Sequence, residues 1–473
     1  MQGKQGKYLS TSSLARLLHL QRDELFDRLE EKGWLNDRRT IAEKGLSYGA
    51  KYESNEKGAK WPVWPENIIE NKLFKSEVSG EVALVKRKFK LPGVDDLNKD
   101  QDRVLRLPED GQYLIVGGPG TGKSVVALLR AMKYHEGNDY AFLTFNKVLL
   151  AATKQLVDFK LNSFTLDSWL RREYCKAITG YCDDFEYYTP PELNYSTRDY
   201  DVVISKLEKE EIVPRTRKII IDEGQDKPPK YYEALMYLGF ENFFIVADQN
   251  QQITSDHSSR QELTDLLGLE TDDVIELKEN YRNSHPIALF CHTFYTDPSS
   301  PPPHLPKQSK SGLGIPTLYD YSDFRECAKF ILREYDRDNR NLIGVVVAND
   351  KMRERYVKVL DSMDLNLDNP KPTISTYSSK DKKAPNINFA YSGIVVLNDR
   401  SIKGLEFDIV FIVIDGFTIY NYDLDSMKKR FYVMSSRAIK KLVLFKPDNY
   451  DGGVEKILTE DENILKRGRL DNG

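Results

Sequence analysis

The sequence predicts an α/β protein built from two parallel-sheet domains behind a small helical unit. Three observations predict it. From residue 97 onward, short apolar runs at 113–116, 140–144, 218–221 and 243–247 alternate with helical stretches, the pattern of strands buried on both faces. A glycine-rich loop at 117–124 joins the first of these strands to a helix expected at 125–132. A second set of apolar runs, at 343–348, 393–397, 409–414 and 441–445, follows a break at 297–314 that is rich in Pro, Ser and Lys.

A chain of 473 residues is too long for one ordinary core, so two to four domains are expected. The net charge of −4, from 69 basic and 73 acidic side chains, excludes a uniformly basic nucleic-acid coat but leaves room for a local basic groove. No apolar run is long enough to span a bilayer, and the basic start Met1-Gln2-Gly3-Lys4 has no apolar stretch behind it. A cytoplasmic protein without a membrane partner is expected. Cys175, Cys182, Cys291 and Cys327 form no CxxC pair, which fits buried thiols in a reducing compartment better than a metal site.

In order along the chain, residues 1–50 read as a winged helix-turn-helix-like unit. Ser10 to Ser13 offer a helix cap, and Leu14, Leu17, Leu18 and Leu20 give an apolar face. A second helix over 23–32 turns Leu25, Phe26 and Leu29 inward and stops at Gly33; Trp34-Leu35 and Arg39-Thr40-Ile41 are candidate wing strands. The second helix carries Asp23, Glu24, Asp27, Glu30 and Glu31 against Arg22, Arg28 and Lys32, which suits docking to a protein better than lying against phosphates. Residues 51–96 read as a linker, with Trp61-Pro62-Val63-Trp64-Pro65 packed and a lead-in strand at 81–90. The first α/β domain is expected at 97–296, with an insertion at about 170–216. After the linker at 297–314, the second domain spans 315–450 and a tail spans 451–473.

The loop Gly117-Gly118-Pro119-Gly120-Thr121-Gly122-Lys123-Ser124, with Val125 after it, is a full GxxxxGK[ST] pattern between a strand and a helix. Its glycines let backbone N–H groups turn onto phosphate oxygens, and the helix N-terminus adds partial positive charge. Lys123 is expected on the β and γ phosphates of ATP and Ser124 on Mg²⁺. The run Ile219-Ile220-Ile221-Asp222-Glu223-Gly224-Gln225-Asp226 ends a strand in adjacent carboxylates. Asp222 is expected to hold Mg²⁺ and Glu223 to polarise an attacking water.

With the DExQD form of Asp222 to Asp226, the chain resembles the UvrD/Rep/PcrA-type superfamily 1 helicases. Further motifs stand in the family's order over roughly residues 97–446. The resemblance implies two RecA-like domains of P-loop NTPase type closing on ATP. It implies Gln101 on adenine, Gln251 of Ala247-Asp248-Gln249-Asn250-Gln251 sensing the γ phosphate, and Asn280-Tyr281-Arg282 with Tyr281 on the base and Arg282 on the γ phosphate. Ser401-Ile402-Lys403-Gly404-Leu405-Glu406-Phe407 implies Gly404 at the site and Glu406 on the ribose. Tyr432-Val433-Met434-Ser435-Ser436-Arg437-Ala438 implies Arg437 as an arginine finger. Thr144-Phe145-Asn146-Lys147 and Thr165-Leu166-Asp167-Ser168-Trp169 are similar to the two segments that touch single-stranded nucleic acid, implying Phe145, Asn146, Lys147, Thr165, Asp167 and Trp169 as contacts.

The chain departs from the family in three places. The aromatic stretch expected after Gln251 is replaced by Gln252-Ile253-Thr254-Ser255-Asp256-His257, which removes a base-stacking platform; Phe145 and Trp169 are candidate replacements, although a tryptophan at position 169 is more often a core residue. The insertions are short, the first surviving as a segment with Tyr174, Tyr181, Tyr187, Tyr188, Tyr195 and Tyr200, open to base stacking or to packing and partner binding. Arg400 stands where the family has histidine and is a further candidate nucleic-acid contact, or the partner of a local acid. Two functions follow as expectations: an ATP-dependent translocase or helicase stimulated by single-stranded DNA, with RNA as the other strand chemistry, or an ATPase switch that drives a protein partner through the N-terminal unit or the tyrosine-rich insertion. By analogy of architecture alone, bacterial genome maintenance or anti-phage defence is the expected setting.

Overall fold

The computed structural model describes residues 8–470 except 19, 21, 56–57, 75–77, 79–84, 88–90, 138, 158–159, 181–188, 195–197, 252–256, 297–301, 308–313, 379, 381–384 and 420–422. The chain divides into two compact units, Met1–Leu84 and Val85–Gly473.

In the first unit, β1 (Tyr8–Ser10) leads into α1 (Thr11–Leu17), whose first turn is capped by Ser10 accepting from the Ser13 amide at 3.2 Å. Helix α2 (Arg22–Glu31) is followed by an antiparallel pair, β2 (Leu35–Asp37) and β3 (Thr40–Ile41), then α3 (Glu43–Ser47). Strands β4 (Lys51–Ser54) and β5 (Lys60–Pro65) and the turn α4 (Lys72–Phe74) complete it. Leu14, Leu25, Leu29, Trp34, Trp64 and Phe74 share one core. Here the expected boundary at 50 is corrected. Strand β5 is the middle strand of a sheet ordered β1-β5-β4, so the stretch expected as a linker supplies the sheet of this unit. Trp64 lies fully buried and donates its indole N–H to Thr11 Oγ1 at 3.1 Å. Of the expected lead-in strand, residues 81–84 and 88–90 lie outside the described residues; Lys86 forms an isolated antiparallel bridge with Tyr391.

The second unit holds two RecA-like parallel-sheet domains. The first is built on α5 (Lys99–Leu105), β6 (Gln112–Gly117), α6 (Lys123–Lys133), β7 (Tyr140–Thr144), α7 (Lys147–Leu156), β8 (Ser163–Thr165), α8 (Leu166–Thr179), α9 (Tyr200–Leu207), β9 (Arg215–Ile221), α10 (Pro229–Tyr237), β10 (Phe240–Ala247), α11 (Arg260–Leu266) and β11 (Val274–Leu277). Its sheet order is β11-β6-β10-β9-β7-β8, all parallel. Period-2 alternation feeds two cores. Ile219 and Ile221 face one helical layer with Trp169 and Tyr231; Ile220 faces the other with Val126 and Ala127.

The second domain contains α12 (His285–His292), β12 (Thr317–Tyr321), α13 (Phe324–Arg337), β13 (Leu342–Val347), α14 (Asp350–Ser362), β14 (Ile374–Thr376), β15 (Gly393–Asn398), β16 (Phe407–Val413), α15 (Leu424–Ser435), β17 (Ala438–Pro447) and β18 (Lys466–Arg469). Its parallel sheet runs β14-β15-β13-β16-β17-β12-β18. Two expectations are corrected. Helix α12, placed by sequence in the first domain, buries Ile287, Phe290 and Cys291 in the second domain's core beside Phe431. The expected tail from 451 ends in β18, which extends the second sheet at its edge.

Within the second unit the segment ahead of α5 is fixed to the second domain. Arg87 pairs with Asp408 (Nε to Oδ2, 2.9 Å) and donates to the Phe389 carbonyl at 3.0 Å. Lys440 meets the other oxygen of Asp408 at 2.9 Å. From the first domain, Gln155 of α7 exchanges two 2.8 Å hydrogen bonds with the backbone of Ile387 and Phe389.

Candidate nucleotide-binding site

Strands β6, β10 and β9 lie side by side and parallel, so their C-terminal ends gather Gly117, Asp248 and Asp222 at one edge. After β6 the chain turns through Gly120 (φ +77°) and Gly122 (φ +88°), both left-handed. A Cβ at Gly120 would collide with Asn280 Oδ1, and one at Gly122 with Gln101 Nε2. The loop therefore needs glycine twice, for backbone sign and for space. Thr121 closes it internally, donating to the Gly118 carbonyl at 2.8 Å. Lys123 opens α6 and folds back over the loop, donating to the carbonyls of Gly117 at 2.7 Å and Gly118 at 2.8 Å. Burial pushes its pKa down, against the pull of Asp248 and Glu223. The first amides of α6 have no side-chain cap, which leaves donors for an anion.

At the end of β9, Glu223 stands in the left-handed region (φ 61°), the one non-glycine residue with positive φ among the described residues. Such a backbone costs about 1–2 kcal/mol. It is held by its surroundings: Glu223 N donates to Asp222 Oδ1 at 3.1 Å, and Gln225 Nε2 donates to Glu223 Oε2 at 2.7 Å. The twist aims two adjacent, buried carboxylates differently. Burial and the Glu223 charge push Asp222 up to about 7. Burial also raises Glu223, but Lys403, Lys123 and Arg437 outweigh it and bring it down to about 2. The Ser124 hydroxyl sits beside Asp222 and pulls its pKa down, against burial. Among the described residues no three His, Cys, Asp or Glu side chains gather as a protein-only metal cage. A buried carboxylate beside a hydroxyl, with charge it cannot otherwise balance, is the donor set of a hard cation completed by water and phosphate oxygens.

The second domain closes this edge. Arg437 is fully buried, braced by its Nε on the Val433 carbonyl at 2.9 Å, and its Nη2 donates to Gln251 Oε1 at 2.6 Å. Burial and nearby Arg282 bring its pKa to about 10. Arg282 Nε donates to Glu406 Oε1 at 2.8 Å. The backbone at Gly404 (φ +79°) runs so close to Leu149 of α7 that a Cβ there would approach within 2.6 Å.

The result is a cleft of about 660 Å³. Pro119, Gly120, Gly122, Lys123, Ser124, Val125, Gln101, Glu223, Gln251, Tyr281, Arg282, Gly404, Glu406 and Arg437 line it. Gly117, Gly118, Thr121 and Asp222 are not among its lining residues, and Thr121 and Asp222 are buried. Gln101 is buried, its amide donating to the Thr121 carbonyl at 3.0 Å, while Tyr281 is exposed and accepts from Asn98 Nδ2 at 2.6 Å. Sequence reasoning missed Lys403, which donates to both oxygens of Asp226 at 2.7 Å and to the Gln251 carbonyl at 2.5 Å. It also missed Leu91, Pro92 and Gly93 on the cleft wall, for which the sequence carries no signal.

The candidate nucleic-acid residues do not form one patch of free side chains. Trp169 is corrected: it is fully buried against Phe164 and Phe240 and belongs to the first domain's core. Asn146 and Thr165 cap α7 and α8, and Asp167 is paired with Lys227 and Arg198. Lys147 and Arg400 are exposed, and Phe145 is half-buried with Lys403 Nζ 5.6 Å from its ring centre. Residues 252–256, where the family's stacking stretch would fall, lie outside the described residues, as do Tyr181, Tyr187, Tyr188 and Tyr195. Tyr174 and Tyr200 are buried; Tyr174 bonds to Glu192, and Tyr200 packs edge-on against Tyr231. No described helix is long and apolar enough to cross a membrane. Cys175, Cys291 and Cys327 are buried, and Cys182 lies outside the described residues.

No protein-family model matches the chain, and no curated protein matches it in sequence. Among solved structures it is similar to the C-terminal domain of a possible DNA helicase from Lactobacillus plantarum, at 14% identity over 40% of this chain and 98% of that one, with a TM-score of 0.28. A likeness that faint carries no argument.

Proposed function

We propose that the chain is an ATP hydrolase of the UvrD-like helicase type that moves along single-stranded DNA. The observation that supports this is the single cleft lined by Lys123, Glu223 and Gln251 from one RecA-like domain and by Glu406 and Arg437 from the other. ATP would lie there with its phosphates on the loop and its base between Gln101 and Tyr281. Ser124 and Asp222 would hold Mg²⁺, which when bound neutralises charge on the β and γ phosphates. Lys123 would exchange its loop carbonyls for phosphate oxygens, and Arg437 would exchange Gln251 for the γ phosphate. Glu223 would orient the attacking water. Because the charges come from two domains, hydrolysis is coupled to their relative motion.

The test is ATP turnover with and without single-stranded DNA at stated low salt, since phosphate contacts weaken with salt. Several-fold stimulation is expected, and loss of that stimulation in Lys147→Ala/Arg400→Ala. Glu223→Gln is expected to bind ATP and to hydrolyse it at least about a hundredfold more slowly; near-normal turnover there sinks the assignment.

A second reading is a regulatory ATPase that drives a protein partner with little unwinding. The burial of Trp169 favours keeping it, since that ring offers no base a stacking face. Turnover indifferent to single-stranded DNA at low salt would select it. The setting in genome maintenance or anti-phage defence rests on architecture alone.

A further inference from the structure

The N-terminal unit has a groove of its own. A cavity of about 370 Å³ is lined by Arg22, Arg38, Arg39 and Lys60 together with Phe26 and Trp61. These residues come from α2, from the turn between β2 and β3, and from β5, so the fold rather than the sequence brings them together. The acidic count of α2, which argues against nucleic acid at the level of sequence, changes meaning in the folded unit. Asp23 and Asp27 both accept from Arg38, at 2.8 Å and 3.2 Å, Glu24 pairs with Arg28 at 2.8 Å, and Glu31 with Lys32 at 2.7 Å. Asp37, next in the chain to Arg38, is satisfied by the Arg39 amide at 2.7 Å and the Thr40 hydroxyl at 2.9 Å, and Glu30 of α2 is not among the groove's lining residues. Arg22, Arg39 and Lys60 are exposed, and among the described residues none lies within ion-pair distance of a carboxylate, although the Arg39 amide, the Thr40 hydroxyl and, more weakly, the Arg39 charge hold Asp37 below the usual carboxylate range. Arg22 and Arg38 each place a guanidinium 5.6 Å from the Phe26 ring centre, which props both at the groove wall. Trp61 is 36% exposed at the groove, next in the chain to Lys60, an unusual position for an indole.

We infer that this groove binds a single nucleic-acid strand, with Arg22, Arg39 and Lys60 on the phosphates and Trp61 stacked on a base. Exposed cations that form no ion pair among the described residues, beside a half-exposed ring, are the two parts of a strand-binding groove: electrostatic tracking of the backbone and sequence-tolerant stacking. The inference deepens the proposed function and rests on its choice of nucleic acid as partner. It places a second contact outside the ATP-hydrolysing unit.

The test is binding of a fluorescent 20-nucleotide oligo-dT by the full chain without nucleotide, over a series of salt concentrations. Replacing three phosphate contacts in Arg22→Ala/Arg39→Ala/Lys60→Ala should lower the slope of log affinity against log salt by about 2, at roughly 0.7 per contact. Trp61→Ala should weaken binding about tenfold at unchanged salt slope. Both variants should keep the wild-type DNA-independent ATP turnover and melting profile, which separates lost binding from lost folding. A triple variant with wild-type affinity and slope overturns the inference and leaves the proposed function standing. Wild-type protein that binds no oligo-dT overturns both. Binding of a blunt duplex more tightly than oligo-dT, with Trp61→Ala neutral, overturns the single-strand assignment.

Discussion

Lys403, fully buried in the second RecA-like domain, donates to both carboxylate oxygens of Asp226 in the first at 2.7 Å, and its Nζ lies 3.5 Å from Glu223. Removing one partner of a buried pair strands the other charge. Lys403→Ala is therefore expected to cost about 3 kcal/mol in urea unfolding at pH 8. Asp226→Ala in the Lys403→Ala background should recover part of the loss. If the double variant is as unstable as the sum of the singles, the two side chains do not act as a pair.

Asp226 also sets a pH dependence. Burial raises its pKa to about 6 in spite of Lys403. The folded state then holds the proton more tightly than the unfolded chain, whose value is near 3.8. This contribution favours folding fully below about pH 4 and is lost as the pH rises through about 6. Asp226→Asn, which cannot ionise, should flatten the fall of stability between pH 4 and 7. Urea midpoints measured across that window check it; identical slopes in the two proteins refute the shift.

The left-handed backbone of Glu223 separates strain from chemistry. Glu223→Ala and Glu223→Gly both remove the carboxylate, yet only alanine must bear the positive φ. The glycine variant is expected to be more stable than the alanine variant by about 1 kcal/mol, with both inactive in ATP hydrolysis. Equal melting curves would mean that the backbone relaxes at no cost.

Arg437 and Arg282 are both arginines at the cleft, but only Arg437 comes from the far domain. Arg437→Ala is expected to lower turnover about a thousandfold while ATP binding, read with a fluorescent analogue, stays within tenfold. A drop in affinity that matches the drop in turnover would make Arg437 a binding residue rather than a transition-state one.

The sequence made the parallel strands legible because buried strands are unbroken apolar runs, and it made the loop legible because its glycines, lysine and serine are contiguous. It hid what depends on distant pairing. Lys403 and Asp226 are 177 positions apart, and a lysine within the Ser401 to Phe407 motif announces no partner. The sheet of the N-terminal unit was hidden for another reason. Pro62 and Pro65 lie in its middle strand, whereas proline lacks the ladder donor and normally marks an edge or a linker. Strand β18 reads Lys-Arg-Gly-Arg, with no apolar alternation, because an edge strand can be held by its backbone alone. Trp169 carried two signals at once: its motif resembles a nucleic-acid segment, while its ring, as a tryptophan's more often does, fills the core.

The first RecA-like domain is pinned to the second at both of its ends. On the entry side Arg87 is fastened to Asp408 and Phe389; on the exit side Asn283 donates to the carbonyls of Ser436 at 3.1 Å and Ala438 at 2.6 Å. Between these ends Gln155, Asp226 and Gln251 also bond across; once those middle bonds are released, the two end fastenings leave one rotational freedom, about the line that joins them. Any stroke that leaves both fastenings intact is then a swing on that axis, its amplitude set by the lever arm to the cleft, and not a translation of one sheet past the other.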